Sequence, residues 1–150
     1  MSSPGECSVL IVGGGPVGLT LANLLGSEGI TTALVERTPG GVPEPRAVAL
    51  DGESLRTLQA VGLAETVLDN SRQGFIADYI NGDGVTLFTS DLTARPYGFC
   101  LQNTFDQTTL ERQLLEGLTR FPCVTVHHST ALASFEQDSD GVDALLRDSN

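Results

Sequence analysis

Within "SVLIV", residues 8–12, apolar residues run unbroken from Val9 to Val12, as in a short strand buried on both faces of a parallel sheet. "GGGPVG", residues 13–18, interrupts the run. From Pro16 the residues Leu19, Ala22, Leu25 and Gly26 return at helical spacing, and Gly29 is placed to close the helix in a left-handed conformation. A second strand, "TTALVE", ends on Glu36. "RTPGGVPEPRA" then reads as a Pro/Gly loop. Asp51 is placed to N-cap a helix over "GESLRTLQAVGL", with Leu55, Leu58 and Leu63 as its apolar stripe.

Further on, "GFIADYINGDGVTLF" predicts two strands around Asn81-Gly82 and Asp83-Gly84. In "DQTTLERQLLEGLTRF" the residues Leu110, Leu114, Leu118 and Phe121 share a helical face, and Thr108 with Glu111 have capping-box spacing. "CVTVHH" is a parallel-strand candidate, and "ALASFEQDSDGVDALL" predicts a hairpin turning at Asp140-Gly141. The order is βαβ, an antiparallel insertion over 74–102, then another helix and strand, with no internal repeat.

The uncharged stretch from Val9 to Gly26 invites a membrane or signal reading, which the glycines reject. A spanning helix needs about 20 apolar residues, and the run here stops at Gly13. A signal peptide needs a basic start, whereas Glu6 is the only charge before Val9. The net charge of -11 argues against nucleic acid and against an anionic membrane surface. Cys7, Cys100 and Cys123 form no disulfide or metal spacing, which favours a reducing, cytoplasmic setting. His127 and His128 are neighbours in a strand and point to opposite faces, so no metal site is expected.

Gly13, Gly15 and Gly18 have G-x-G-x-x-G spacing between a strand and a helix. In such a turn the first glycine allows the tight exit from the strand. The second admits a pyrophosphate to the backbone, and the third lets the helix pack closely. Pro16 suits the first helical turn because it has no N–H to leave unpaired. The N–H groups and the positive dipole end at this helix start would face a phosphate. Glu36, eighteen residues after Gly18, stands where a carboxylate takes a ribose hydroxyl.

"VLIVGGGPVGLTLANLLGSEGITTALVER", "PRAVALDGESLRTLQAVGL" and "FDQTTLERQLLEGLTRFPCVTVHHSTALASFEQDSDGV" together resemble the amino-terminal part of FAD-dependent monooxygenases. The resemblance is to aromatic-ring hydroxylases of the p-hydroxybenzoate and 3-(3-hydroxyphenyl)propionate hydroxylase type. It implies an α/β, Rossmann-like FAD-binding domain of the glutathione-reductase type with the start of an antiparallel, substrate-side sheet. It also implies NAD(P)H as electron donor and insertion of one oxygen atom of O2 into a small phenolic ring. Its cofactor-binding set maps to Gly13, Gly15, Pro16, Val17, Gly18, Glu36, Arg37, Arg46 and Gln107. Arg46 would reach the pyrophosphate region, or else pair with Glu44 or Asp51. Arg37 would flank the adenosine. Gln107 would contact the phosphate-ribityl region, although glutamines are common at helix ends. Backbone near Ala131 and Leu132 would approach the adenine.

Phe75, Tyr79, Phe88, Tyr97 and Phe99 are expected as sheet core, with a substrate-pocket wall as the alternative. No residue is assigned as acid, base or nucleophile. The family's Gly-Asp-Ala-Ala-His-like segment and its Asp-Gly motif are not in this sequence, and the expectation is a truncated domain, inactive alone. Two alternatives stay open: another flavoenzyme of this fold, such as a halogenase or oxidase, and a non-catalytic nucleotide-binding or interaction module. A plain NAD-dependent dehydrogenase fits less well. The aromatic substrate, the choice of NADH or NADPH and the oligomeric state are not written in these residues.

Overall fold

The computed structural model describes residues 5–40 and 47–149, so Arg46 and Glu44 lie outside the described residues. In chain order the elements begin with β1 (Val9–Val12), α1 (Pro16–Ser27) and β2 (Thr32–Val35). Then come β3 (Ala49–Asp51), α2 (Gly52–Ala60), α3 (Ala64–Leu68), β4 (Arg72–Gln73), β5 (Ile76–Ile80), β6 (Thr86–Asp91) and β7 (Gln102–Thr104). The chain closes with α4 (Gln107–Leu118), β8 (Val124–His127), β9 (Thr130–Gln137) and β10 (Val142–Asp148). Two compact units result, one from residues before 45 together with those from 114 onward, the other from 45–113.

The first unit holds a parallel sheet in the order β1-β2-β8. Val9 pairs with Thr32 and Val12 with Val35, while Thr32 and Val35 pair on their other side with Val124 and His127. All four residues of β2 are buried, as befits the middle strand. The first helix packs against β1 and β2, and Leu19 and Ala22 of the helix and Ile11 and Leu34 of the strands are all buried. It stops as the glycine pattern anticipates: Gly29 has φ +71 and its N–H bonds the Gly26 carbonyl, while Ile30 N–H reaches Leu25.

Asn23 sits fully buried on this otherwise apolar stripe. Its amide donates to the carbonyls of Leu19 and Leu114, both at 2.9 Å, and its oxygen accepts from Arg120 at 3.2 Å. A buried amide needs such partners, and this one joins α1 to the last turns of α4. On the other face of the sheet Leu10, Val12 and Ala33 share a cleft of about 1020 Å³ with Leu132, Phe135 and Leu146 of the β9–β10 hairpin. That hairpin turns where expected, with Asp138 Oδ1 accepting the N–H groups of Asp140 and Gly141.

The second unit departs further from expectation. Asp51 caps α2 through Ser54 N–H at 2.7 Å, but the helix ends at Ala60. Leu63 is therefore buried beyond the helix, after Gly62 at φ +72. A small antiparallel sheet, β3-β7-β4, has strands of only two or three residues, too short for any periodicity to register. The capping-box expectation is corrected: the cap is Asp106, whose Oδ1 accepts the Thr109 N–H at 2.7 Å, and Thr108 lies inside the helix. Asparagine and aspartate accept such bonds more readily than threonine. Glu111 instead accepts the Gln107 side chain.

The β5–β6 hairpin has the anticipated turn, in which Asn81 Oδ1 accepts from Asp83 and Val85 and Gly84 takes φ +80. Its aromatics are not sheet core. Tyr79 is 49% and Phe88 55% exposed, their rings stacked at 4.2 Å; beyond the hairpin strands Tyr97 is 48% exposed, while Phe75 and Phe99 are half-buried. A two-stranded ribbon has no second layer to bury them.

Candidate cofactor-binding site

The site is built where β1 and β2 end side by side. Gly13 N–H bonds the Val35 carbonyl at 2.9 Å, carrying the ladder one step past β1. Gly13 then turns the chain at φ +110, a conformation costly for a side-chain-bearing residue. Gly15 follows as the N-cap of α1, with Pro16 at the first position. Among the described residues no side chain caps this end, and no acid lies in its first turn. No described side chain takes the early N–H groups of the helix itself. The Gly15 Cα faces open space. Val17, on the same turn, is 83% exposed.

Gly18 is required by contact. A Cβ there would overlap the Gly13 carbonyl oxygen and lie 3.2 Å from Ile11 Cγ2. The third glycine thus lets the helix lie against the turn itself as well as the sheet.

Glu36 follows β2 and is pinned through its backbone. Its N–H bonds the His127 carbonyl and its carbonyl accepts from Thr130 N–H, both at 2.9 Å. The side chain turns toward the glycines. Oε2 accepts Gly14 N–H at 2.7 Å, and Oε1 accepts both the N–H and the hydroxyl of Thr38 at 2.8 Å. Burial works to raise the carboxyl's pKa, but the bonds from Gly14 and Thr38, with the nearby Arg37 charge, bring it below the ordinary 4.5. Glu36 is therefore an anion at neutral pH, fixed against the turn. Arg37 itself is exposed.

Gln107 belongs to the second unit. Its Oε1 accepts Ala47 N–H at 3.0 Å and its Nε2 donates to the buried Glu111 at 2.8 Å. The structure thus gathers Gly13, Gly15, Pro16, Val17, Gly18, Glu36 and Arg37 in the first unit and places Gln107 in the other.

Two contributors escaped the sequence reading. Gly14 occupies an unspecified position of the G-x-G-x-x-G spacing, yet a Cβ on it would lie 3.0 Å from Glu36 Cβ. Three glycines in a row were the available signal. Thr38, two residues after the acid, carries the spacing of a side-chain turn, which the Pro/Gly character of the loop obscured.

A family model described as "FAD binding domain" matches residues 6–150. The chain belongs to this FAD binding domain family. Curated relatives include the 3-(3-hydroxy-phenyl)propionate/3-hydroxycinnamic acid hydroxylases of Mycolicibacterium smegmatis and Comamonas testosteroni. Each is 38% identical, over 95% and 99% of this chain respectively. The FAD binding domain chain spans about a quarter of their length, 25% in both cases. Among solved structures it is similar to the flavin-dependent monooxygenase PieE in complex with FAD and substrate. There the TM-score is 0.82 at 26% identity, covering 98% of this chain and 28% of that one. The fold is that of the FAD-binding flavin monooxygenases, in agreement with the α/β expectation.

Proposed function

We propose that this chain supplies the adenosine and pyrophosphate half of the FAD site in a flavin-dependent monooxygenase that hydroxylates a phenolic substrate with NAD(P)H and O2. The observation that carries the proposal is the bond from Gly14 N–H to Glu36 Oε2, which sets a fixed carboxylate beside an uncapped helix start. The donors suit the ligand: N–H groups of the first turn for phosphate oxygens, and an ionised carboxylate for a ribose hydroxyl. Open space at Gly15 leaves the backbone approachable. FAD, when bound, supplies the redox and oxygen chemistry.

In this reading Gly13, Gly14 and Gly18 shape the turn, and Val17 and Gly18 N–H groups face the pyrophosphate. Pro16 presets the helix start, and Arg37 lends positive charge at the adenosine end. Arg46, outside the described residues, and Gln107 serve the pyrophosphate and phosphate-ribityl regions. The three parallel strands with the β9–β10 hairpin support the glutathione-reductase type of Rossmann-like fold. Residues 74–102 are the insertion leading toward the substrate side. The relatives are hydroxylases of 3-(3-hydroxy-phenyl)propionate and 3-hydroxycinnamic acid, which supports a phenolic substrate, and the three free cysteines suit the cytoplasm.

Titration of the chain with FAD, read by flavin fluorescence and calorimetry, tests the proposal. Binding should be saturable and weakened at least tenfold in Gly15→Val and Glu36→Ala. A folded chain that binds no FAD, or binds it equally in both variants, contradicts it.

A further inference from the structure

The two oxygens of Glu36 are not equivalent. A carboxylate offers about four acceptor positions, and among the described residues three hydrogen bonds already reach this one. Thr38 supplies two of them to Oε1, through its N–H and its hydroxyl. Gly14 supplies one to Oε2. The one acceptor position left is on Oε2, beside the glycine turn.

We infer that Thr38 is a positioning residue: by filling Oε1 it fixes the carboxylate's rotation and makes Oε2 the acceptor for a single ribose hydroxyl of the adenosine moiety. This rests on the FAD-site reading above and goes beyond it in stating how many hydroxyls are recognised and which residue sets that number. Without the Thr38 hydroxyl, Oε1 keeps only the backbone bond. The carboxylate then has two alternative rotations and an extra acceptor position, so the ribose meets a less ordered partner. Thr38 touches no ligand in this scheme and acts through Glu36.

The probes are ADP, 2′-deoxy-ADP and 3′-deoxy-ADP, titrated calorimetrically into the 150-residue chain and into its Thr38→Val and Thr38→Ser variants. The wild-type chain should lose about tenfold in affinity for one deoxy analogue, the size of one charge-assisted hydrogen bond, and less than threefold for the other. Thr38→Val should weaken ADP by a similar factor. It should not weaken the analogue lacking the recognised hydroxyl, and Thr38→Ser should restore ADP binding. In the ligand-free variants, NMR titration of Glu36 should show a higher carboxyl pKa in Thr38→Val and a near wild-type value in Thr38→Ser.

Equal losses with both deoxy analogues, or a Thr38→Val effect that is the same for ADP and both analogues, overturns the inference. So does an unchanged or tighter ADP affinity in Thr38→Val. Failure of the folded wild-type chain to bind ADP at all removes the underlying site reading instead. The NMR titration then still decides whether Thr38 holds the carboxylate.

Discussion

Glu36 Oε2 accepts the Gly14 N–H at 2.7 Å across 22 residues of chain, and the two residues are so close that a Cβ on Gly14 would sit in tight contact with Glu36 Cβ, at 3.0 Å. The bond ties the end of the second strand to the turn leaving the first. Gly14→Ala should push the Glu36 side chain away, at a cost of about 1–3 kcal/mol for an overpacked site. Gly15→Ala, with open space at that position, should leave stability within about 0.5 kcal/mol. Urea unfolding of the two variants checks the contrast. Equal effects would mean that the turn is not held by this contact.

Acid should loosen the same clasp. The folded-state pKa of Glu36 lies below 4.5. Its contribution to stability is therefore complete above the unfolded value and is lost as pH falls through the folded one. In Glu36→Gln that part of the pH dependence should vanish, leaving a shallower decline below about pH 4.5. Urea midpoints at several pH values between about 3 and 7 provide the measurement. A variant whose midpoint falls as steeply as the wild type would show that other carboxylates govern the acid limb.

Much of the first unit was legible in the chain. The buried strands, the helix opened by Pro16 and closed by Gly29, and the acid at the end of the second strand all follow from local pattern and glycine placement. What stayed hidden depends on pairings between distant residues. That Gly14 touches Glu36 is set by how two strands end side by side, and no window of sequence contains both roles. Leu63 continued a helical spacing but lay beyond a left-handed glycine. The exposed Tyr79 and Phe88 had the alternation of a half-buried strand, while burial also needs a second layer that the pattern does not encode.

Asn23 makes a separate prediction. Replacing it with Ala leaves the Leu114 carbonyl and the Arg120 guanidinium without their amide partner, at about 1–3 kcal/mol. Asn23→Asp should cost more at neutral pH, because a buried carboxylate would then face two carbonyl oxygens in place of the donating amide. Thermal unfolding at pH 7 should rank wild type above Ala and Ala above Asp. An aspartate variant as stable as wild type would contradict the assigned orientation of the amide.

Gly26 and Phe121 should be coupled. A Cβ on Gly26 would stand 2.6 Å from Phe121 Cδ2, so Gly26→Ala should cost about 1–3 kcal/mol. Combined with Phe121→Leu, the alanine should be partly accommodated, leaving a coupling energy of about 0.5 kcal/mol or more in a double-mutant cycle. Strict additivity would indicate that the clash is relieved elsewhere.

Whether the glycine turn holds an adenosine diphosphate is decided by an NMR titration of the isotopically labelled chain with ADP, following backbone amides. The largest shifts should fall on Gly14, Gly15, Val17, Gly18 and Glu36, and they should be saturable and absent in Gly15→Val. Saturable binding whose shifts spare the glycine turn, or no shifts in a folded chain, would contradict that site.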